Sequence, residues 1–284
     1  MFGSLPAYVT PLGRAQHVGF RLACVSIYLF LIAPILVIIP LSFNAEPYFT
    51  FTEGMLRLDP DAWSLRWYVQ VGEDENWVRS MKNSFIIGCA STVFATALGT
   101  VAALGLSRER MPCRTAIMAV LLSPMIVPVI ISASGMYFFY SSIGLSQTYL
   151  GLILAHTALG TPFVVITVTA TLSGFDHSLT RASASLGASP TRTFFRITVP
   201  IILPGVISGA LFAFITSFDE VVAVLFLAGT EQRTVPRQMW AGIREQISPT
   251  ILAVATLLIL LSVVLLLMLE FLRRRNERLR GIRA

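Results

Sequence analysis

Residues 21–43 carry no charge after the opening Arg21, and residues 250–272 carry none before Glu270 in a leucine-rich run. About 20 apolar residues cross a bilayer core as a helix. Inside lipid, only helices or closed barrels satisfy their own backbone groups. Unbroken apolar runs of this length, without strand alternation, therefore restrict the chain to a bundle of membrane helices. Composition agrees: 13% of the 284 residues are charged, against about a quarter in soluble domains.

Hydropathy places six spans, near residues 21–43, 83–107, 115–140, 149–173, 203–227 and 250–272. Residues 1–20 read as an exposed tail, and 273–284 as a basic tail with six arginines. The first span is too long and too late for a cleaved leader and is expected to stay as an anchor. Residues 44–80 form the longest polar segment, acidic and rich in tryptophan. Within it, 64–71 reads either as an interfacial helix or as part of a folded loop.

The second span is rich in glycine and alanine, which let helix backbones approach closely, so it is expected at the centre of the bundle. The third holds Pro124 and Pro128. Each removes a backbone hydrogen bond, so this helix must bend or break, either to line a pore or as a static kink. The fourth contains His156, expected to bond a neighbouring helix rather than relay protons. The fifth pairs Gly205 with Gly209 and then carries Asp219-Glu220.

Basic residues set the orientation. With the N-terminus in the cytoplasm, 14 of the 21 basic residues fall inside and 9 of the 15 acids fall outside. The positive-inside rule selects that arrangement, with both termini cytoplasmic. The positive charge lies at span ends rather than on one face, which argues against nucleic acid as a partner. Three cysteines, Cys24, Cys89 and Cys113, show no disulfide or metal spacing. No phosphate-gripping G-x-x-x-x-G-K-[ST], no G-x-S-x-G and no H-E-x-x-H occurs. The chain thus offers no catalytic group and no metal or cofactor site of its own.

Between the fourth and fifth spans lies a polar interval with internal order. Asp176 or Ser178 caps a short helix. Leu179, Ala182, Ser183 and Leu186 then share one mildly apolar face. Gly187 suits the left-handed helix end, and Ser189-Pro190 restarts a helix. The orientation above puts this helix–glycine–helix elbow in the cytoplasm.

The elbow resembles the cytoplasmic loop of bacterial ATP-binding-cassette (ABC) importer permeases, whose pattern is Glu-Ala-Ala, three residues, then Gly. Here it reads Arg181-Ala182-Ser183-Ala184-Ser185-Leu186-Gly187-Ala188-Ser189. Residues 217–221 (SFDEV), 234–236 (TVP) and 253–256 (AVAT) are similar to the polyamine branch of that family. The resemblance, spanning about residues 43–266, implies a type I importer permease in the bacterial inner membrane. It implies that the elbow docks on a dimer of ATPase subunits, which hold ATP and magnesium. It further implies a second permease, a periplasmic solute-binding protein and a small cationic solute such as spermidine or putrescine. Amino acids or opines are the alternative cargo, and a motor-independent secondary transporter is the competing class. The family's glutamate is Arg181 here, a reversal of charge.

Asp219 and Glu220 are the acids expected deep in a span. Charge there must meet water, a partner or the bundle interior. Asp219 is the candidate for a cation-favouring vestibule. Alternatively, both acids pair with Arg233, Arg237 or Arg244.

Overall fold

A computed structural model describes residues 10–108, 111–176, 178–245 and 248–279. The first nine residues of the N-terminal tail, Glu109-Arg110 of the basic turn and the last five residues of the basic tail lie outside the described residues. The described residues are overwhelmingly helical, and the one β-pairing among them is an isolated bridge, Asn44 with Trp63. Among the described residues, five helices are long and apolar enough to cross a membrane, or six if a bent pair counts as one span.

The chain divides into two compact units. The first comprises residues up to 71 with 248–261. It opens with α1 (Pro11–Leu41). This helix starts ten residues before the expected span, because Thr10 caps it, Oγ1 accepting from the Gly13 amide at 3.2 Å, and Pro11 takes the first turn. The sequence following α1 folds around Asn44. Its side chain donates to the Tyr48 and Thr50 carbonyls and accepts from the Glu46 amide, while its own carbonyl accepts from Trp67 Nε1 at 2.7 Å. A short α2 (Glu53–Leu56) and α3 (Arg66–Glu73) complete this region. Most of 64–71 is therefore helix rather than loop, and Trp67 and Val71 are its buried residues.

The second unit comprises residues 72–247 and those from 262 onward. Its centre is three long helices packed on one another: α4 (Glu75–Leu106), α7 (Tyr149–Ser173) and α10 (Val199–Asp219). Asp74 caps α4 through the Asn76 amide at 2.7 Å, drawing that helix into the polar segment ahead of it. Glycines permit the contact. A Cβ on Gly99 of α4 would lie 2.7 Å from the Val164 Cβ on α7, and one on Gly209 of α10 would lie 2.8 Å from the Val164 Cα. Ala95, Ala103, Val164, Val168, Ile202 and Ala213 fill the space between these three helices.

The expected third span is two helices, α5 (Arg114–Ile126) and α6 (Val129–Ser142), bent by 101°. Short helices α8 (Ser178–Ser185) and α9 (Pro190–Thr193) bridge α7 and α10. Beyond α10 come α11 (Val222–Leu227), α12 (Val235–Glu245) and α13 (Thr250–Leu279).

Candidate functional site

The elbow is held by local bonds. Asp176 accepts from the Ser178 amide at 2.8 Å and from the Ser178 hydroxyl at 2.7 Å, starting α8. The Gly187 amide bonds the Ala184 carbonyl at 2.9 Å, and the Ala188 amide bonds the Ser183 carbonyl at 3.1 Å. That paired closure needs a left-handed residue, which Gly187 supplies with φ +79°. Ser189 then caps α9 through the Arg192 amide, with Pro190 in its first turn. Phe194–Thr198 continues as one wide π-type turn into α10.

One contact pins the two arms: the hydroxyls of Ser183 and Thr193, both buried, meet at 2.8 Å. The remaining candidates face outward. Arg181, Ala182, Leu186, Gly187 and Ser189 are exposed, and Ala188 is half-buried. The expected apolar face does not turn inward as a whole. Leu179 is exposed and Leu186 is 88% exposed. The inner side of α8 meets α9 through a polar lock, so the leucines are left on the outer surface.

The far end of α10 is built differently. Residues 203–227 are not one continuous helix. α10 stops at Asp219, Glu220 is extended at φ −74° and ψ 119°, and the chain restarts as α11. Glu220 stabilises the restart, its Oε1 accepting from the Ala223 amide at 2.9 Å. Asp219 is exposed, and among the described residues neither acid forms an ion pair with Arg233, Arg237 or Arg244. The two acids thus flank a helix break rather than sit within a helix.

Pro124 remains inside α5. Pro128 sits at the break, φ −52° and ψ 127°, and Val127 before it is extended, as a residue preceding proline prefers. The segments that follow the two breaks meet: Ala133 and Tyr140 of α6 cluster with Ala223, Val224 and Leu227 of α11. The elbow candidates and the acids are not brought together. They occupy opposite ends of α10, which at 1.5 Å per residue is about 30 Å long.

Two polar nodes join the helices: the expected bond from His156 to a neighbouring helix is present, and the one around Asn83 escaped sequence reasoning. His156 Nδ1 meets Ser217 Oγ at 2.7 Å, and Ser91 Oγ donates to Ser217 Oγ at 3.0 Å, joining α7, α10 and α4 two residues before Asp219. Asn83 donates to the Glu231 and Arg233 carbonyls at 2.7 and 2.8 Å and accepts from the Tyr149 hydroxyl at 2.9 Å. A polar residue in a glycine-rich helix was the available signal; its partners, far away in sequence, gave none. Close by, Arg237 donates to the Ala228 and Gly229 carbonyls at 2.8 and 2.9 Å. Burial, and then the neighbouring Arg233 charge, push its guanidinium pKa below the usual arginine value. Among the described residues no group of three or more His, Cys, Asp or Glu is placed to hold a metal ion.

The family described as binding-protein-dependent transport system inner membrane component matches residues 95–278. The spermidine/putrescine transport system permease protein PotC of Haemophilus influenzae is 28% identical over 251 residues, covering 88% of this chain and 95% of that protein. The PotC of Escherichia coli strain K12 is 28% identical over 263 residues, covering 93% and 96%. The putrescine transport system permease protein PotI of the same strain is 30% identical over 239 residues, covering 82% of each. Among solved structures, a bacterial ABC transporter involved in the import of the acidic polysaccharide alginate superposes with a TM-score of 0.69 at 14% identity, over 95% of this chain and 99% of that one. The inward-facing MetNI methionine ABC transporter gives 0.53 at 19% identity, over 73% and 96%. The architecture is that of ABC importer permeases, and the chain belongs to the family of binding-protein-dependent transport system inner membrane components.

Proposed function

We propose that this chain is one permease subunit of an ATP-driven importer and forms part of the path for a polyamine such as spermidine or putrescine. The observation that carries the reading is likeness, along most of the chain, to permeases named for polyamine transport. In this reading a second permease completes the pathway, a periplasmic binding protein delivers the solute, and a cytoplasmic ATPase dimer supplies ATP and magnesium. The elbow is the joint to that ATPase. Its two arms are pinned by Ser183 and Thr193, so it moves as one body, and its exposed Leu186 and Arg181 are available to a partner groove. Motion there need only tip a two-state balance between inward- and outward-open bundles. The helix breaks after Asp219 and at Pro128 are the elements that would rearrange, and exposed Asp219, without an ion pair among the described residues, supplies the charge that favours a cation.

The test is uptake of labelled putrescine by vesicles containing both permeases and the ATPase, with the binding protein added. Uptake should require ATP and fall about tenfold in Asp219→Asn, the loss of one charge-assisted contact. Uptake without the ATPase would overturn the importer reading. Full uptake by a correctly assembled Asp219→Asn importer would remove Asp219 from the path.

A further inference from the structure

Three arginines at the end of the bundle away from the elbow have no task in the transport reading. Arg237, Trp240, Ala241 and Arg244 are spaced i, i+3, i+4 and i+7, so they form one stripe along α12. That stripe, with Arg233 in the turn before α12 and Leu225 on α11, lines a groove of about 440 Å³. Among the described residues none of the three arginines pairs with a carboxylate. Glu231, two residues before Arg233, is engaged by Arg79 at 3.0 Å. Three like charges in one groove repel, and an anion relieves that repulsion.

The guanidinium groups have donors to spare. Arg237 uses Nη1 alone, donating to the Ala228 and Gly229 carbonyls at 2.8 and 2.9 Å. Arg233 uses Nη1 alone, for the neutral Gln238 side chain at 3.4 Å. Arg244 is exposed and makes no bond among the described residues. The N–H donors of a guanidinium form a fixed fork that matches phosphate oxygens with two parallel bonds.

The surroundings narrow the anion to a lipid. Leu225, Trp240 and Ile243 are all exposed beside these charges. Apolar chain also flanks the groove in sequence. Leu225 belongs to the apolar stretch 203–227, and four residues join α12 to the candidate span that begins at Thr250. A helix with arginines and tryptophan on one face suits the headgroup level of a bilayer, where a phosphate lies above apolar chains. A zwitterionic headgroup would bring its own ammonium towards three arginines; a net anionic one would not.

We infer that the Arg233–Arg237–Arg244 groove binds the phosphate of an anionic phospholipid such as phosphatidylglycerol, with Trp240 at the headgroup and Leu225 beside the acyl chains. The site does not depend on which solute is carried. Arg237 gives it a consequence. The same guanidinium holds the carbonyls directly after α11, so a bound phosphate fixes the side chain that closes this helix.

The experiment uses the assembled importer in nanodiscs of phosphatidylcholine doped with phosphatidylglycerol. Lipid retained by the complex after transfer to detergent is counted by mass spectrometry. The wild type should retain phosphatidylglycerol beyond its share of the disc, and less of it as salt rises. Arg244→Glu should lower that enrichment about tenfold. Arg244→Lys should fall between, since an ammonium keeps the charge but not the fork. Thermal midpoints in pure phosphatidylcholine should be the same for all three, which separates a folding defect. Should Arg244→Glu not assemble, Arg233→Gln read in the same way carries the test. Equal retention by wild type and variant would overturn the inference. Displacement of the retained lipid by inorganic phosphate would make the groove a soluble-anion site and overturn it too. Weaker capture of a soluble binding protein with unchanged lipid retention would make it a protein surface, again against the inference.

Discussion

The two ends of α10 are finished in opposite ways. At its start, the elbow is closed by bonds between residues a few positions apart, and most of its side chains stay outside. At its far end, bonds reach across the chain: Asn83 to Glu231, Ser84 to the Val235 amide, Gln147 to the Leu227 carbonyl. The elbow holds its own shape and leaves its surface for something else to cover. The far end is held in shape by the rest of the bundle. Damage to the first should therefore cost coupling, and damage to the second should cost stability.

That contrast can be broken by experiment. The largest effect is expected between the two ends, where α10 touches α7. Gly209→Leu would force a side chain into the Val164 backbone and should cost about 3 kcal/mol or more, seen as a large fall in thermal midpoint and failed assembly. Asn83→Ala comes next. It leaves the Arg233 carbonyl without its side-chain donor, while the Tyr149 hydroxyl and the Glu231 carbonyl keep each other at 3.2 Å, a loss of about 1–3 kcal/mol in the same melting experiment.

At the elbow the same melt should stay flat. Leu186→Asp removes an exposed apolar tip and should weaken ATPase retention on co-purification by tens of fold, about 2 kcal/mol, with an unchanged midpoint. A lowered midpoint with intact ATPase binding would reverse the comparison. Gly187→Val is the mildest. A Cβ there meets nothing, so only the left-handed backbone is strained, by about 1–2 kcal/mol. Its signature should be ATP hydrolysis less tightly tied to uptake, and normal coupling would show that the elbow tolerates a changed hinge.

Much of this was legible because it is local. Asp176, Gly187 and Ser189-Pro190 announce the elbow through capping rules that act within four residues. Pro128 announces the break before α6. The helix break at the acids was not legible, for the converse reason. Hydropathy runs smoothly from 203 to 227 and gives no sign that Glu220 leaves the helix to cap the next one. Helices α1 and α4 also begin before their apolar stretches, since capped polar turns extend a helix beyond them.

The sequence alone determined that this chain is a membrane helix bundle of the importer-permease kind, which stretches are apolar enough to cross, and that an ordered elbow interrupts them. Apolar length and end-capping are properties of neighbouring residues, so they survive without a fold. Only the tertiary structure decided that Leu186 projects outward, that Asp219 stands at a helix break without an ion pair among the described residues, and that three arginines line one groove. Each depends on which distant helix lies alongside, and packing between surfaces far apart in the chain settles that.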